Sequence, residues 1–397
     1  MTSKAFGVRF SFAYAFLMLG NGVQLPFLPL WLQSQGLSLG ANSAVLAAMT
    51  LVRVAGAPFF AALADYSGKR LLVIRLCAAM ACLAYFALSM SHSFNAILGL
   101  GALASFMFSP VFPLTEGFSV EAASRVGFDY GRIRLWASLS FLAGSLGSGA
   151  LLTVVPIEKA MLLIAGAQML TAASTWLLPS EPPHPAHLPQ VSPLQLGAAF
   201  KFLFASRFTV FLLAASLATG SHGMLYTIST VHWAHLGFST FDIGLLWTSA
   251  VLAEALLFFF SSSLISRVPL ARLLCIGLFG ATLRWFGMGL AVGFWSIFLL
   301  QILHCVSFAM THLALMHFIR LNVPHNLRNT AQGLYTACAA GLLLSASQWI
   351  SGPLYERFGA EGFWAMALIS GAGLSVALFN LAKLSPTRQL AGVASRR

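Results

Sequence analysis

Charge is scarce in this chain. Asp, Glu, Lys and Arg make up 8% of its 397 residues, and Asp and Glu together number ten. Soluble domains carry about a quarter, so an ordinary hydrated surface is excluded. No GxxxxGK[ST] loop occurs: Gly68-Lys69-Arg70 lacks both the upstream glycine spacing and the hydroxyl residue, which excludes a built-in ATP motor. Cysteine is limited to Cys77, Cys82, Cys275, Cys305 and Cys338, all within apolar runs and without metal-ligand spacing. Disulfide and zinc frameworks are therefore poor readings, and small packing residues the better one. With no hydrolytic triad, metal cluster or nucleotide loop, the expectation is no enzyme, no cofactor and no metal. What remains is grease: 58% hydrophobic residues and a mean hydropathy of +0.84.

A hydrocarbon core of about 30 Å needs roughly 20 apolar residues per helix, and about 33 residues per span plus loop allows about twelve spans here. Hydropathy places them near 10–34, 42–64, 71–91, 95–118, 132–155, 160–178, 208–232, 241–264, 271–292, 295–319, 330–352 and 361–382. The first run is too long for a signal-peptide core and has no clear small-residue cleavage site, so it reads as span one. With the N-terminus inside, Lys69, Arg70, Arg125, Arg267, Arg272, Arg320 and Arg328 share the inner face, and the outer loops keep only Lys159 and Arg357. Both termini are then cytoplasmic. The net charge of +12 needs no nucleic acid, because a basic inner face on anionic lipid accounts for it.

The longest polar interruption, Pro179 to Arg207, contains EPPHPAHLPQVSP and reads as a tether. It divides the chain into an N-terminal six-helix bundle (1–178), a cytoplasmic linker (179–206) and a C-terminal six-helix bundle with a basic tail (207–397). Glycines cluster at Gly144 to Gly149 and at Gly287, Gly289 and Gly293. No strand precedes the first cluster, so close helix packing explains it better than dinucleotide binding. Trp31, Trp233, Trp295 and Trp364 stand near span ends, where interface anchoring is expected.

Six ionisable residues interrupt the apolar runs: Arg53, Glu116, Arg134, Glu254, Arg284 and His304. Such groups are costly in hydrocarbon and mark a polar pathway. Three arginines against two glutamates favour an anionic guest, and an arginine fork suits a carboxylate. A carboxyl in a low-dielectric cavity can load a proton near neutral pH and lose it when a cation approaches. Glu254 is the candidate carrier, Arg284 the displacing cation and His304 a hydrogen-bonding relay. Structural ion pairing is the alternative for these and for Glu116 with Arg134. Arg53 lies about twelve residues from Asp65, deep enough to reach a central cavity, or else it snorkels or packs between helices. His222, flanked by Gly220, Ser221 and Gly223, either lets a substrate approach or bonds helix to helix. Tyr226 and Trp247 are weaker cavity candidates, and His312 and His317 are assigned no function.

Leu63-Ala64-Asp65-Tyr66-Ser67-Gly68-Lys69-Arg70 resembles the loop signature of the major facilitator superfamily. There an acidic residue and a Gly-basic-basic turn staple the cytoplasmic helix ends, a role the resemblance gives to Asp65, Gly68, Lys69 and Arg70. Pro26-Phe27-Leu28-Pro29-Leu30-Trp31-Leu32 and Phe128-Asp129-Tyr130-Gly131-Arg132-Ile133-Arg134 are similar to runs of the lactose permease branch. Glu116 also keeps that branch's spacing before Arg132. The resemblance implies that Glu116 and Arg134 grip substrate and that Phe141 stacks on it. Arg284 and His304 match its C-terminal spacing, but Gln301 and Ser307 stand where that branch has a lysine and a proton-carrying glutamate. Any proton coupling must then use another acid, and Glu254 is the membrane-embedded carboxyl left in that half.

Over nearly the whole chain, Phe108 to Glu116, Asp129 to Trp136 and Gln301 to Cys305 resemble the phenylpropionate permease subgroup, which also has an arginine like Arg53. The implied protein is an all-α, twelve-span monomer of the major facilitator fold in a bacterial inner membrane. It would take up a small aromatic acid with protons by alternating access. The rivals are a proton-coupled sugar, oligosaccharide or nucleoside symporter, an exporter of hydrophobic compounds, and a transporter-like receptor.

Overall fold

The computed structural model describes residues 3–179 and 207–380, without the side chains of residues 3–6, 126, 132 and 326. The expected linker, from residue 180, and the basic tail from 381 lie outside the described residues. Among the described residues the chain is all-helical. The first part holds α1 (Ser3–Ser34), α2 (Leu39–Ser67), α3 (Arg70–Ser89), α4 (Phe94–Phe108), α5 (Val111–Val126), α6 (Tyr130–Leu151) and α7 (Ala160–Ser174). The second holds α8 (Arg207–Gly220), α9 (Gly223–Thr227), α10 (Ser229–His235), α11 (Thr240–Phe259), α12 (Ser261–Arg267), α13 (Leu270–Met288) and α14 (Phe294–Ile302). It continues through α15 (Thr311–Asn322), α16 (Arg328–Tyr335), α17 (Leu344–Phe358) and α18 (Phe363–Phe379). Ten helical runs among the described residues are long and apolar enough to cross a membrane.

Local chemistry sets the helix ends. Ser38 accepts from the Ala41 amide at 3.2 Å to start α2, and Asp129 accepts from the Gly131 amide at 2.8 Å to start α6. Ser239 and Asp242 form a reciprocal capping box on α11. These bonds satisfy amides that have no partner inside the helix. Gly68 ends α2 at φ +62°, a left-handed conformation that a side chain disfavours.

Two differences from the hydropathy spans matter. The fourth span, expected to end near 118, continues through α5 to Val126 and so carries Glu121 on helix rather than loop. The seventh apolar run is broken at Ser221–His222 between α8 and α9. Helix 294–322 passes through a π-helical segment, Cys305–Met310, and Thr336–Leu343 forms another. Wide turns of this kind re-aim side chains and occur often at functional sites.

α1 packs on α6 and α7, while α13 and α8 both pack on α18. Between the two parts, α2 lies along α17 and α6 along α11. One apolar core, including Phe27, Trp31, Trp233, Trp247, Trp285 and Phe363, runs across both parts at the end poor in Lys and Arg. Toward the basic end each part has cores of its own, around Phe211 and Phe318 in the second and around Ile74 and Phe10 in the first. The molecule is thus joined at one end and divided at the other. Trp31 and Trp233, expected as interface anchors, are instead 1% and 0% exposed, because both fill this shared core.

Hydrophobic burial does little to drive helix association in lipid, so close packing of small residues carries more of it. A Cβ added at Gly149 would stand 2.7 Å from the Thr240 carbonyl oxygen, and one at Gly244 2.6 Å from that of Ser145. Across the same seam, Ser145 donates to Gly244 O at 3.0 Å and Thr240 to Gly149 O at 2.8 Å. The Gly144 to Gly149 cluster therefore serves helix contact.

Candidate functional site

In the first part, Glu116 on α5 faces α6. Tyr130 donates its hydroxyl to Glu116 Oε1 at 2.6 Å, while Arg134 Nε stands 4.0 Å from the same oxygen. The phenol therefore holds this carboxylate more closely than the arginine does. Arg134 is 45% exposed at its side chain and lies over the Phe112 ring at 5.8 Å. Tyr14 hydrogen-bonds Ser119 at 2.7 Å, extending the polar cluster onto α1.

The second part is buried and more connected. Arg284 on α13 is 0% exposed. Its Nε donates to Leu300 O at 2.8 Å, Nη2 to Gln301 Oε1 at 2.5 Å, and Nη1 to His304 Nδ1 at 2.9 Å and Ser307 Oγ at 3.2 Å. These four acceptors are neutral if His304 is uncharged. A buried charge is tolerated when hydrogen bonds replace its hydration, and four do so here. The nearby carboxylate stands one imidazole away, with Glu254 Oε2 3.5 Å from His304 Nε2.

The guanidinium has only N–H donors, so His304 Nδ1 must accept, which leaves the ring proton on Nε2 facing Glu254. His222, 0% exposed, bonds Ala218 O through Nδ1 at 2.9 Å and faces Ser307 Oγ with Nε2 at 3.5 Å. Both histidines sit at irregular backbone: His222 at the α8–α9 break, His304 beside the first π segment. Arg134 of the first part lies within electrostatic reach of Glu254 in the second.

The remaining expected residues are distributed as follows. Arg53 is exposed on α2, within electrostatic reach of the buried Tyr85, whose hydroxyl donates to Gln24 at 2.9 Å. Phe141 is half-buried on α6, its backbone oxygen pressed against Gly22 of α1. Asp65 and Lys69 are exposed. It is Arg70 that ties α3 to α5, through Glu121 at 2.8 Å and over the Phe118 ring at 5.1 Å. Arg125 joins the same carboxylate at 2.5 Å. Tyr226 stacks on Trp247 at 6.0 Å.

Sequence reasoning gave no role to Tyr130, though it lies within the Asp-Tyr-Gly run. It treated Gln301 and Ser307 as departures from a pattern, whereas both hold Arg284.

The fold is that of a multi-pass membrane bundle charged at its centre, and the family and relatives it matches are transporters, not enzymes. The chain belongs to the MFS_1 like family, which matches residues 8–366. It is 28% identical over 353 residues to the "Probable 3-phenylpropionic acid transporter" of Escherichia coli strain K12, covering 88% of this chain and 91% of that one. To the maltose permease of Geobacillus stearothermophilus it is 25% identical over 354 residues, 88% of each. A solved structure of a mutant of the nucleoside transporter NupG superposes with a TM-score of 0.80 at 16% identity, covering 95% of this chain and 99% of that one.

Proposed function

We propose that this protein is a proton-coupled symporter that takes up a small organic anion, an aromatic carboxylate of the phenylpropionate type. Twelve spans are proposed: residues Arg328–Phe379 are divided at Gly359, Tyr130–Leu151 crosses as well, its serines, glycines and arginines diluting its hydropathy, and α8 to α10 count as one. They form two six-helix bundles joined by the 179–206 linker, in a monomer of a bacterial inner membrane with both termini cytoplasmic. On that orientation the closed end faces outward and the divided end faces the cytoplasm, one state of an alternating-access cycle.

The observation that carries the substrate class is the central charge balance. Arg284 is buried among acceptors that are neutral with His304 uncharged, and Arg134 and Arg53 are exposed, against Glu116 and Glu254. The surplus of cations suits a carboxylate. Arg53, Glu116, Arg134, Phe141 and His222 are assigned to the substrate side, with Glu254 shared between substrate and proton, and Arg284 and His304 to coupling. The experiment is uptake of labelled 3-phenylpropionate into proteoliposomes under an imposed inward proton gradient, alongside maltose and a nucleoside. Gradient-dependent accumulation of the acid supports the proposal. Accumulation of the sugar or nucleoside instead moves the function to the second reading, which the Tyr130–Glu116 pair favours, because such groups also bind hydroxyls.

A further inference from the structure

Resting on the coupling role given above to Glu254, we infer that His312 receives the proton Glu254 releases toward the basic face, and that His304 only positions the acid. Arg284 Nη1, a donor, occupies His304 Nδ1 at 2.9 Å, and the ring's one proton points from Nε2 at Glu254. In this arrangement His304 donates to the carboxylate and has no free nitrogen with which to accept. Protonating Nδ1 would set N–H against N–H of the guanidinium. The acid's proton therefore leaves to another base.

His312 is that base by placement. The π segment Cys305–Met310 keeps His304, Phe308 and His312 in one ladder, with ring centroids 5.3 and 5.8 Å apart and interplanar angles of 2° and 14°. From α11, Glu254 meets the top of this ladder and Phe258, one turn further on, lies 6.5 Å from the His312 ring. From α16, Tyr335 lies 5.9 Å away with its hydroxyl engaged by Thr219 of α8 at 2.9 Å. Glu254 lies within electrostatic reach of His312, and Arg134 of the other part within reach of Glu254. His312 is half-buried, and among the described residues no hydrogen bond engages its ring nitrogens. It lies two turns nearer than His304 to Arg320 and the basic end.

In the step, the Glu254 O–H bond breaks, water passes the proton on, and an imidazole nitrogen of His312 gains it. A carboxylate and an imidazolium result; the imidazolium then gives its proton to water at the basic face. No redox partner is required.

The test compares His312→Gln, His312→Ala and Glu254→Gln with wild type in proteoliposomes, measuring substrate exchange at equal pH and initial uptake under an inward proton gradient. Exchange is expected to survive in both His312 variants. Glu254→Gln loses gradient-driven accumulation, His312→Gln slows initial gradient-driven uptake at least tenfold, and imidazole inside vesicles of His312→Ala restores part of that rate. Wild-type uptake in His312→Gln, or equal slowing of its exchange, would overturn the inference while leaving Glu254 in place. No rescue of His312→Ala by imidazole also counts against it. Full accumulation by Glu254→Gln sinks the coupling reading itself.

Discussion

Arg284 and His304 form the pivot of the second part: Nη1 lies 2.9 Å from Nδ1, and that single contact sets the tautomer of the histidine and turns its N–H toward Glu254. An arginine held by Leu300, Gln301, His304 and Ser307 keeps its charge without a carboxylate at its side.

Arg134→Lys keeps the charge but loses the planar fork. Substrate affinity is expected to fall by about tenfold or more, roughly 1.4 kcal/mol. Isothermal titration or substrate-induced thermal shift measures it, and wild-type affinity would remove Arg134 from the site.

Tyr130→Phe deletes the hydroxyl that donates to Glu116 at 2.6 Å. Hydrogen bonds to a charged group contribute about 1.5–3 kcal/mol, so a loss of affinity of at least about tenfold is expected with little change in helix content. Unchanged binding together with lowered thermal stability would assign Tyr130 a packing role only.

Glu254→Gln keeps the shape of the protonated acid. Exchange of external for internal substrate is expected to persist while accumulation under a pH gradient disappears, because no proton can leave before the empty carrier returns. Accumulation at the wild-type level would move coupling to another acid, with Glu116 next.

Gly149→Val drives a side chain into the Thr240 carbonyl at the α6–α11 seam. The closed end should open: transport falls by roughly tenfold, as expected where close helix approach is lost. A reporter cysteine at Tyr226 then gains reactivity toward an external thiol reagent. Unchanged labelling would show that the seam tolerates the bulk.

Tags at either terminus and within residues 182–193 should be reachable from the cytoplasm only, since all three flank the Lys/Arg-rich face. Labelling of the linker from outside would refute the six-plus-six arrangement.

Hydropathy alone was enough for an all-helical membrane chain, because a helix satisfies its backbone within one segment and lipid selects for apolar length. The unusual cost of charge in such segments also exposed Arg134, Glu116, Glu254, Arg284 and His304 one by one. Which groups meet was another matter. Gln301 and Ser307 become partners of Arg284, and Tyr130 the close partner of Glu116, only once consecutive helices fold back on one another, which fixes the faces that meet. The break at His222 and the π turn after His304 change which way side chains face, and no local periodicity records that. The closed end, too, depends on α6 meeting α11 through two glycines 95 positions apart, a contact decided by van der Waals fit between surfaces that a linear sequence does not juxtapose.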